Sequence, residues 1–562
     1  MGLPRALQLH REGHKKEAML HYQRAVDHGE LKALLFQNYG ALLREFGDES
    51  KALSIYNDGL AEHPNDVGIL GNRVNLLIEK SPTIALKDLL RILRISLATN
   101  ADIKIIEKAF MNILNTLRDL GCIAWTLEII KYALSILGEN PRILSQLVIL
   151  TDDGHLAEHI IPIIEQRIFE CNPTDQAELF FALASNDVNN SRVDQSLSRF
   201  ENALAPLLNT IPEGSEDAAS RQKTINTYSW NFGCALLKAG NFERGWKLYE
   251  YGLVVHAKGL QRWQRALEKP FSNQQLPLWR GESLAGKHLL VIEEQGVGDV
   301  MMFMTLIPRI RDEASSLTLL LSDRLKPIYT RSLDSSYNII TRYDIKEGRY
   351  SPGDFDLSTP LGSICQYRFT HLSQYAPKVP ILTPNYSRSK DLRQKYLNQT
   401  SKAEKLIGIS WQGGGQPTRM KDKSIDHKSF LSIISPQPGI RFVSLQYGNT
   451  EKLINKWKSQ GFDIVHDALI DPLQDMEYWL DQVAACDAVI SVANTTIHGA
   501  GGLNIPTMCL LGRNPDWRWL QDKNNQRSYW YPSVQIASYN SNDQWSTAVN
   551  KAKQWIHAGV PY

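Results

Sequence analysis

An apolar run that stops at two glycines and restarts as a helix leaves few folds open. Residues 287–311 are such a run, KHLLVIEEQGVGDVMMFMTLIPRIR. Residues 287–293 have the length and apolarity of one buried strand. Residues 294–299 form a polar turn carrying Gln295, Gly296 and Gly298. From 300 to 311, Met301, Met304, Leu306, Ile307 and Ile310 recur at helical spacing. A buried strand that breaks at glycines and opens a helix is the ligand-facing corner of an open α/β sheet. The glycines admit positive φ and close backbone approach, and a helix start favours an anion. Asp299 falls where the helix begins. Its carboxylate suits either a helix cap or a chemical role, and the local pattern leaves both open.

The same strand logic repeats downstream. LTLLLS, YNIITRY and FDLST read as short strands, and a charged stretch near 384–404 marks a boundary. KLIGISW, RFVSLQY, GFDIVHD, DAVISVA and PTMCLLG then supply a second α/β unit, and WSTAVNKAKQWIHAG closes the chain as an amphipathic helix. Two segments of this second unit carry possible chemistry. QGGGQPTRMKDKSID offers free backbone N–H groups around Gly413, with Arg419, Lys421 and Lys423 as positive charge. DAVISVANTTIHGAGG runs from a strand into Asn494, Thr495 and Thr496, with His498 in a small-residue helix start. Hydroxyls and helix N–H groups together suit a phosphate. A solvated basic loop and a structural histidine are the plainer readings.

The first third has a different period. Gly47, Ala52, Tyr56 and Gly59 repeat Gly13, Ala18, Tyr22 and Ala25 at a shift of 34 residues. The second copy adds Gly40 and Pro64, and its spacing returns as Gly233, Gly240, Gly245, Tyr249 and Gly252. Small residues let paired helices approach while the aromatic fills the gap. The period and spacing resemble the tetratricopeptide repeat (TPR). Residues 68–205 stay helical but lose the signature, with Gly121, Ala133 and Pro141 fitting one worn copy. Six or seven helix pairs are expected, with polar loop composition at 209–222.

At 562 residues the chain needs several cores. Lys plus Arg is 62 against 60 for Asp plus Glu, a net charge of +2. That balance gives no reason to expect nucleic acid or an anionic membrane as the main partner. The six cysteines contain no CxxC pair, which suits buried reduced thiols and a cytoplasmic location. No stretch approaches the length of a membrane span, and the fourteen histidines show no zinc-type spacing.

EEQGVGDVMMF, GISWQGG, FVSLQYG, ISVANTTIHGAGGLNIP and PDWRWL, in this order, resemble bacterial TPR–glycosyltransferase fusions. Their catalytic half is similar to the lipopolysaccharide heptosyltransferases (glycosyltransferase family 9), and the whole plan resembles O-GlcNAc transferase. The resemblance implies an α plus α/β fold, a TPR-like helical solenoid followed by a GT-B pair of Rossmann-like domains. The expected layout is a solenoid at 1–256, irregular in its middle, and a connector at 257–284. An acceptor-side Rossmann-like domain at 285–390 and a nucleotide-sugar-side domain at 391–540 follow, with a C-terminal helix at 541–562.

The same resemblance implies an inverting, metal-independent glycosyltransferase with a nucleotide-sugar as co-substrate and no further cofactor. The acceptor would be a polypeptide on the TPR surface, flagellin or another surface protein among the candidates. Asp299 matches the base that activates the acceptor. Gly413, Lys423, Asn494, Thr495 and His498 match donor-binding positions. Gln295, Gly296, Gly298 and Trp517 are acceptor or loop candidates, and Trp517, Arg518 and Trp519 match a Trp-Arg-Trp motif of underived role. The family pattern carries an acid just before Asn494, where this chain has Ala493. A glycan- or lipid-linked acceptor, and a non-catalytic TPR adaptor with a degenerate transferase half, are the other two readings.

Overall fold

The computed structural model describes residues 2–562 except 79, 151–153, 209–215, 255–264, 266–267, 376–379, 399–402, 415–419, 421–422, 520–525 and 541–542. Arg419 and Lys421 therefore lie outside the described residues, as does much of the first part of the connector expected at 257–284. The chain forms two compact units, one of Met1–Asn186 and one carrying the chain from Asp187 to its end, the undescribed stretch 255–264 aside.

Among the described residues, fourteen α-helices precede the first strand. In the first unit, helices such as Leu3–Arg11 with Lys15–Asp27 and Ala33–Glu45 with Glu49–Glu62 pack as hairpins around one apolar core. The repeat residues do what their spacing implies. Gly13 and Gly47 turn the chain between paired helices at φ +82° and +84°. A methyl group on Gly40 would sit 2.3 Å from the Tyr56 ring, and one on Gly59 would sit 2.6 Å from Phe36 Cβ. Tyr22 and Tyr56 are fully buried. The polar stretch expected as a loop at 209–222 is already helical from its eighth residue, in Glu216–Lys238.

In the second unit the last helices, Glu216–Lys238 and Phe242–Tyr249, pack against the α/β part rather than ending a free-standing array. Trp246 and Tyr249 lie in the same apolar core as Leu289, Val291 and Phe303. The stretch after Pro270 is anchored too. Leu276 and Trp279 are buried, and Leu278 forms a bridge to Ser358 beside the first sheet.

Among the described residues ten strands build two all-parallel sheets: β1 His288–Ile292, β2 Ser316–Leu320, β3 Tyr337–Ile340 and β4 Leu357–Pro360 in one. The other holds β5 Lys405–Ser410, β6 Ile440–Ser444, β7 Ile464–Val465, β8 Ala488–Val492, β9 Thr507–Leu511 and β10 Val534–Ser538. The orders are β3-β2-β1-β4 and β10-β9-β8-β5-β6-β7. Parallel strands covered on both faces read as near-continuous apolar runs, which is why nine of the ten were visible in the sequence. Leu289 and Val291 face one core while Leu290 and Ile292 face another. The C-terminal helix Ser546–His557 packs Ala552 and Trp555 onto the second sheet with Ile407 and Phe430.

Candidate active site

Strand order fixes where ligands can enter. In each sheet the order reverses at one point, between β1 and β4 in the first and between β5 and β8 in the second. Crevices open beyond the C-terminal ends of strands at such points. The turn after β1 and the loops after β5, β8 and β9 carry every candidate residue.

The turn after β1 differs from its expected geometry. The left-handed residue is Gln295, at φ +62°, and not a glycine. Gly296 is extended at φ −95° and serves as N-cap of the helix Val297–Met304. Gly298 matters for space: a methyl group there would lie 2.8 Å from His498 Cδ2. The two helix starts, Val297–Met304 and Thr495–Gly502, thus meet with only a glycine's thickness between them.

Asp299 occupies the first turn of its helix. Its Oδ2 accepts from the Gly296 N–H at 3.2 Å, so it caps, and its Oδ1 accepts from Arg518 Nε. Arg518 also donates to Gln295 Oε1 at 2.6 Å and to Asp516 Oδ2 at 3.4 Å, while its guanidinium lies 4.6 Å over the Trp517 ring. Burial opposes the Arg518 charge, but Asp299 and Asp516 outweigh it and hold the group more firmly protonated than usual. The Gln295 amide N–H donates to the Tyr249 hydroxyl. Lys423 Nζ stands 3.8 Å from Asp516. Positive and negative groups therefore alternate, Lys423, Asp516, Arg518, Asp299, from the second sheet's loops to the first's.

The other donor candidates have structural work. Asn494 caps its helix by accepting from the Thr496 N–H at 2.9 Å, and its Nδ2 donates to Ser410 Oγ at 2.8 Å. It thereby ties the β8 loop to β5, and Thr495 sits half-buried at the first helical position. A methyl group on Gly413 would lie 2.6 Å from Lys423 Cβ. His498 is buried, with Nδ1 3.1 Å from the Tyr531 hydroxyl and its ring 5.2 Å from Trp519. Burial lowers its pKa to about 4, so the ring is neutral near pH 7. Trp517 is not open to a ligand. It is 3% exposed and packs edge-on against Trp246 at 5.2 Å and Tyr249 at 5.3 Å.

Sequence reasoning did not single out Gln446, Asp516, Tyr249 or Tyr531 for the site. Gln446 Oε1 accepts from Ser410 Oγ and from the N–H groups of Trp411 and Gln412, which shapes the loop after β5. Its signal was present in RFVSLQY, at a strand's C-terminal end. Glu294, the other carboxylate of the β1 turn, is fully buried and held by Arg265 at 2.6 and 2.8 Å. A cavity of about 570 Å³ near Arg513, Tyr539 and Lys551 is lined by none of the candidate residues. Among the described residues no group of three or more His, Cys, Asp or Glu is placed to hold a metal ion, and no helix is long and apolar enough to cross a membrane.

No protein-family model matches the chain. Protein FlbA of Caulobacter vibrioides is 25% identical over 517 residues, covering 88% of this chain and 79% of that protein. Among solved structures, ADP-heptose lipopolysaccharide heptosyltransferase II of E. coli is 12% identical, covering 49% of this chain and 98% of that one, with a TM-score of 0.35. A tetratricopeptide repeat protein from Parabacteroides merdae is 18% identical, covering 40% and 81%, with a TM-score of 0.27. In its own topology the chain is a series of TPR-like helical hairpins followed by two Rossmann-like parallel sheets.

Proposed function

We propose that this chain is a glycosyltransferase of the GT-B kind, working without a metal and with inversion, that moves a sugar from a nucleotide-sugar to a protein acceptor in the cytoplasm. One observation carries the reading: loops from the ends of two parallel sheets line up Asp299, Arg518, Asp516 and Lys423 in one row, with the Asp299 carboxylate at one end and the Lys423 ammonium at the other. That is a base on one side and a phosphate-compatible surface on the other. The motifs that resemble the heptosyltransferases fall on these loops.

The acceptor hydroxyl gives its proton to Asp299 as its oxygen bonds to the anomeric carbon. The bond from that carbon to the diphosphate breaks on the opposite face, and the nucleoside diphosphate leaves. Its charge is met by Lys423 and by N–H groups at the start of the helix Thr495–Gly502. Asn494 and Gln446 hold the loops that present those donors. The helical repeats hold the acceptor polypeptide along their surface, flagellin or another surface protein being candidates.

The test is release of free nucleotide from a panel of nucleotide-sugars, together with intact-mass analysis of co-expressed acceptor proteins. Donor-dependent release with a sugar-sized mass gain on a protein is expected. A mass gain on a glycan or lipid alone would replace the acceptor class. No release from any donor would leave a TPR adaptor and end the enzyme reading.

A further inference from the structure

Tyr249, Gln295, Arg518 and Asp299 form one hydrogen-bonded chain across three elements. Tyr249 ends the last helix of the repeats, Gln295 and Asp299 stand on the turn after β1, and Arg518 lies on the loop after β9. The Tyr249 hydroxyl accepts from Gln295, whose carbonyl oxygen accepts from Arg518 Nη2 at 2.6 Å, and Arg518 Nε donates to Asp299. Both ends are fixed. Tyr249 is 1% exposed against Trp246 and Trp517, and the second Asp299 oxygen is held by the Gly296 N–H. Gln295 adopts its left-handed backbone within this chain, a conformation that persists only where the surroundings impose it.

We propose that Arg518 is the positioning residue for Asp299, setting the direction of the carboxylate, and that the last helical repeat holds Arg518 through Tyr249 and Gln295. This rests on the glycosyltransferase reading for the use made of Asp299, though not for Arg518's hold on it. The guanidinium fork meets three partners at fixed angles and stacks on Trp517, which a lysine cannot reproduce. Other groups also face Asp299: the neutral His498 on the helix Thr495–Gly502, and the Tyr249 and Tyr531 hydroxyls; Asp516 faces Arg518, and Lys423 faces Asp516. Among the described residues Arg518 is the cation in direct contact with Asp299.

The experiment reads the contact without turnover, as a double-mutant cycle in urea between Arg518→Gln and Asp299→Asn. The two losses of stability should fall short of additive, because either substitution already breaks the contact. Arg518→Lys should bind donor like the parent yet lower kcat about tenfold or more, because charge survives and direction does not. Tyr249→Phe keeps the packed ring and should lower kcat with donor Kd unchanged. Additive losses overturn the proposal whether or not the parent transfers sugar. Non-additive losses in a protein that transfers nothing uphold Arg518's hold on Asp299 and remove only the glycosyltransferase reading. Should Arg518→Gln fail to fold, Arg518→Lys replaces it in the cycle, and additive losses or a parent-like kcat overturn the proposal.

Discussion

Replacing Asp299 by Asn separates the structural from the chemical work of this carboxylate. In the parent one oxygen accepts from Gly296 and the other from Arg518. Asn has a single oxygen, so it keeps the cap or the Arg518 contact and turns an NH₂ group toward the other. The two side chains are 16% and 21% exposed, between surface and interior. Exposed pairs are worth about 0–1 kcal/mol, and removing one partner of a buried pair costs about 3–5 kcal/mol. Asp516 still faces Arg518 at 3.4 Å, which places the cost at about 1–2 kcal/mol. A urea midpoint that falls with unchanged slope would measure it. The chemical loss is larger. Removing a general base lowers kcat by about 10²–10⁴-fold, or about 3–5 kcal/mol of barrier. Donor Kd should change little, because the base acts in the transition state. The assay is nucleotide release at saturating donor and acceptor, with calorimetry for Kd. A folded Asp299→Asn protein turning over within about threefold of the parent, far below that range, would refute the base and leave a cap.

Lys423→Ala should weaken nucleoside diphosphate binding by about 1–3 kcal/mol in calorimetry, and unchanged affinity would move the phosphate site elsewhere. His498 is held near 4 by burial while the unfolded chain protonates it near 6.5. Its contribution to stability is therefore whole above pH 6.5 and is lost as pH falls toward 4, by about 3 kcal/mol, so His498→Gln should flatten the pH dependence of the urea midpoint in that window. Deleting residues 1–186 should leave a second unit that unfolds cooperatively and binds donor but no longer modifies protein, whereas a deletion reaching past Tyr249 strips Trp246 and Tyr249 from Trp517 and should abolish cooperative unfolding. Equal melting curves for the two truncations would contradict that assignment. Gly298→Ala should cost about 1–3 kcal/mol through overpacking, since Tyr531 and Trp519 keep the His498 ring from retreating; unchanged stability would show that the two helices can part.

The sequence by itself determined the elements and their class. Strands buried on both faces must be apolar at almost every position, so HLLVI, KLIGIS, AVISV and TMCLL declare themselves. The 34-residue period declares the helical hairpins because the small residues at helix contacts admit little else. β10 escaped because VQIAS is broken by Gln535 and followed by a polar stretch, and pairing with β9 is what makes it a strand. The glycines of the β1 turn were visible, but which residue turns left-handed was not: Gln295 is held by Tyr249 and Arg518, 46 and 223 positions away. Asp299 was legible as a cap or a base, yet Arg518, 219 positions on, decides how its carboxylate is held. Trp517 read as a loop candidate and proved to be packed against the last helical repeat. Periodicity reports what one element does with its own backbone. Contacts between polar tips on different elements depend on where whole elements come to rest, and that only the tertiary structure decided.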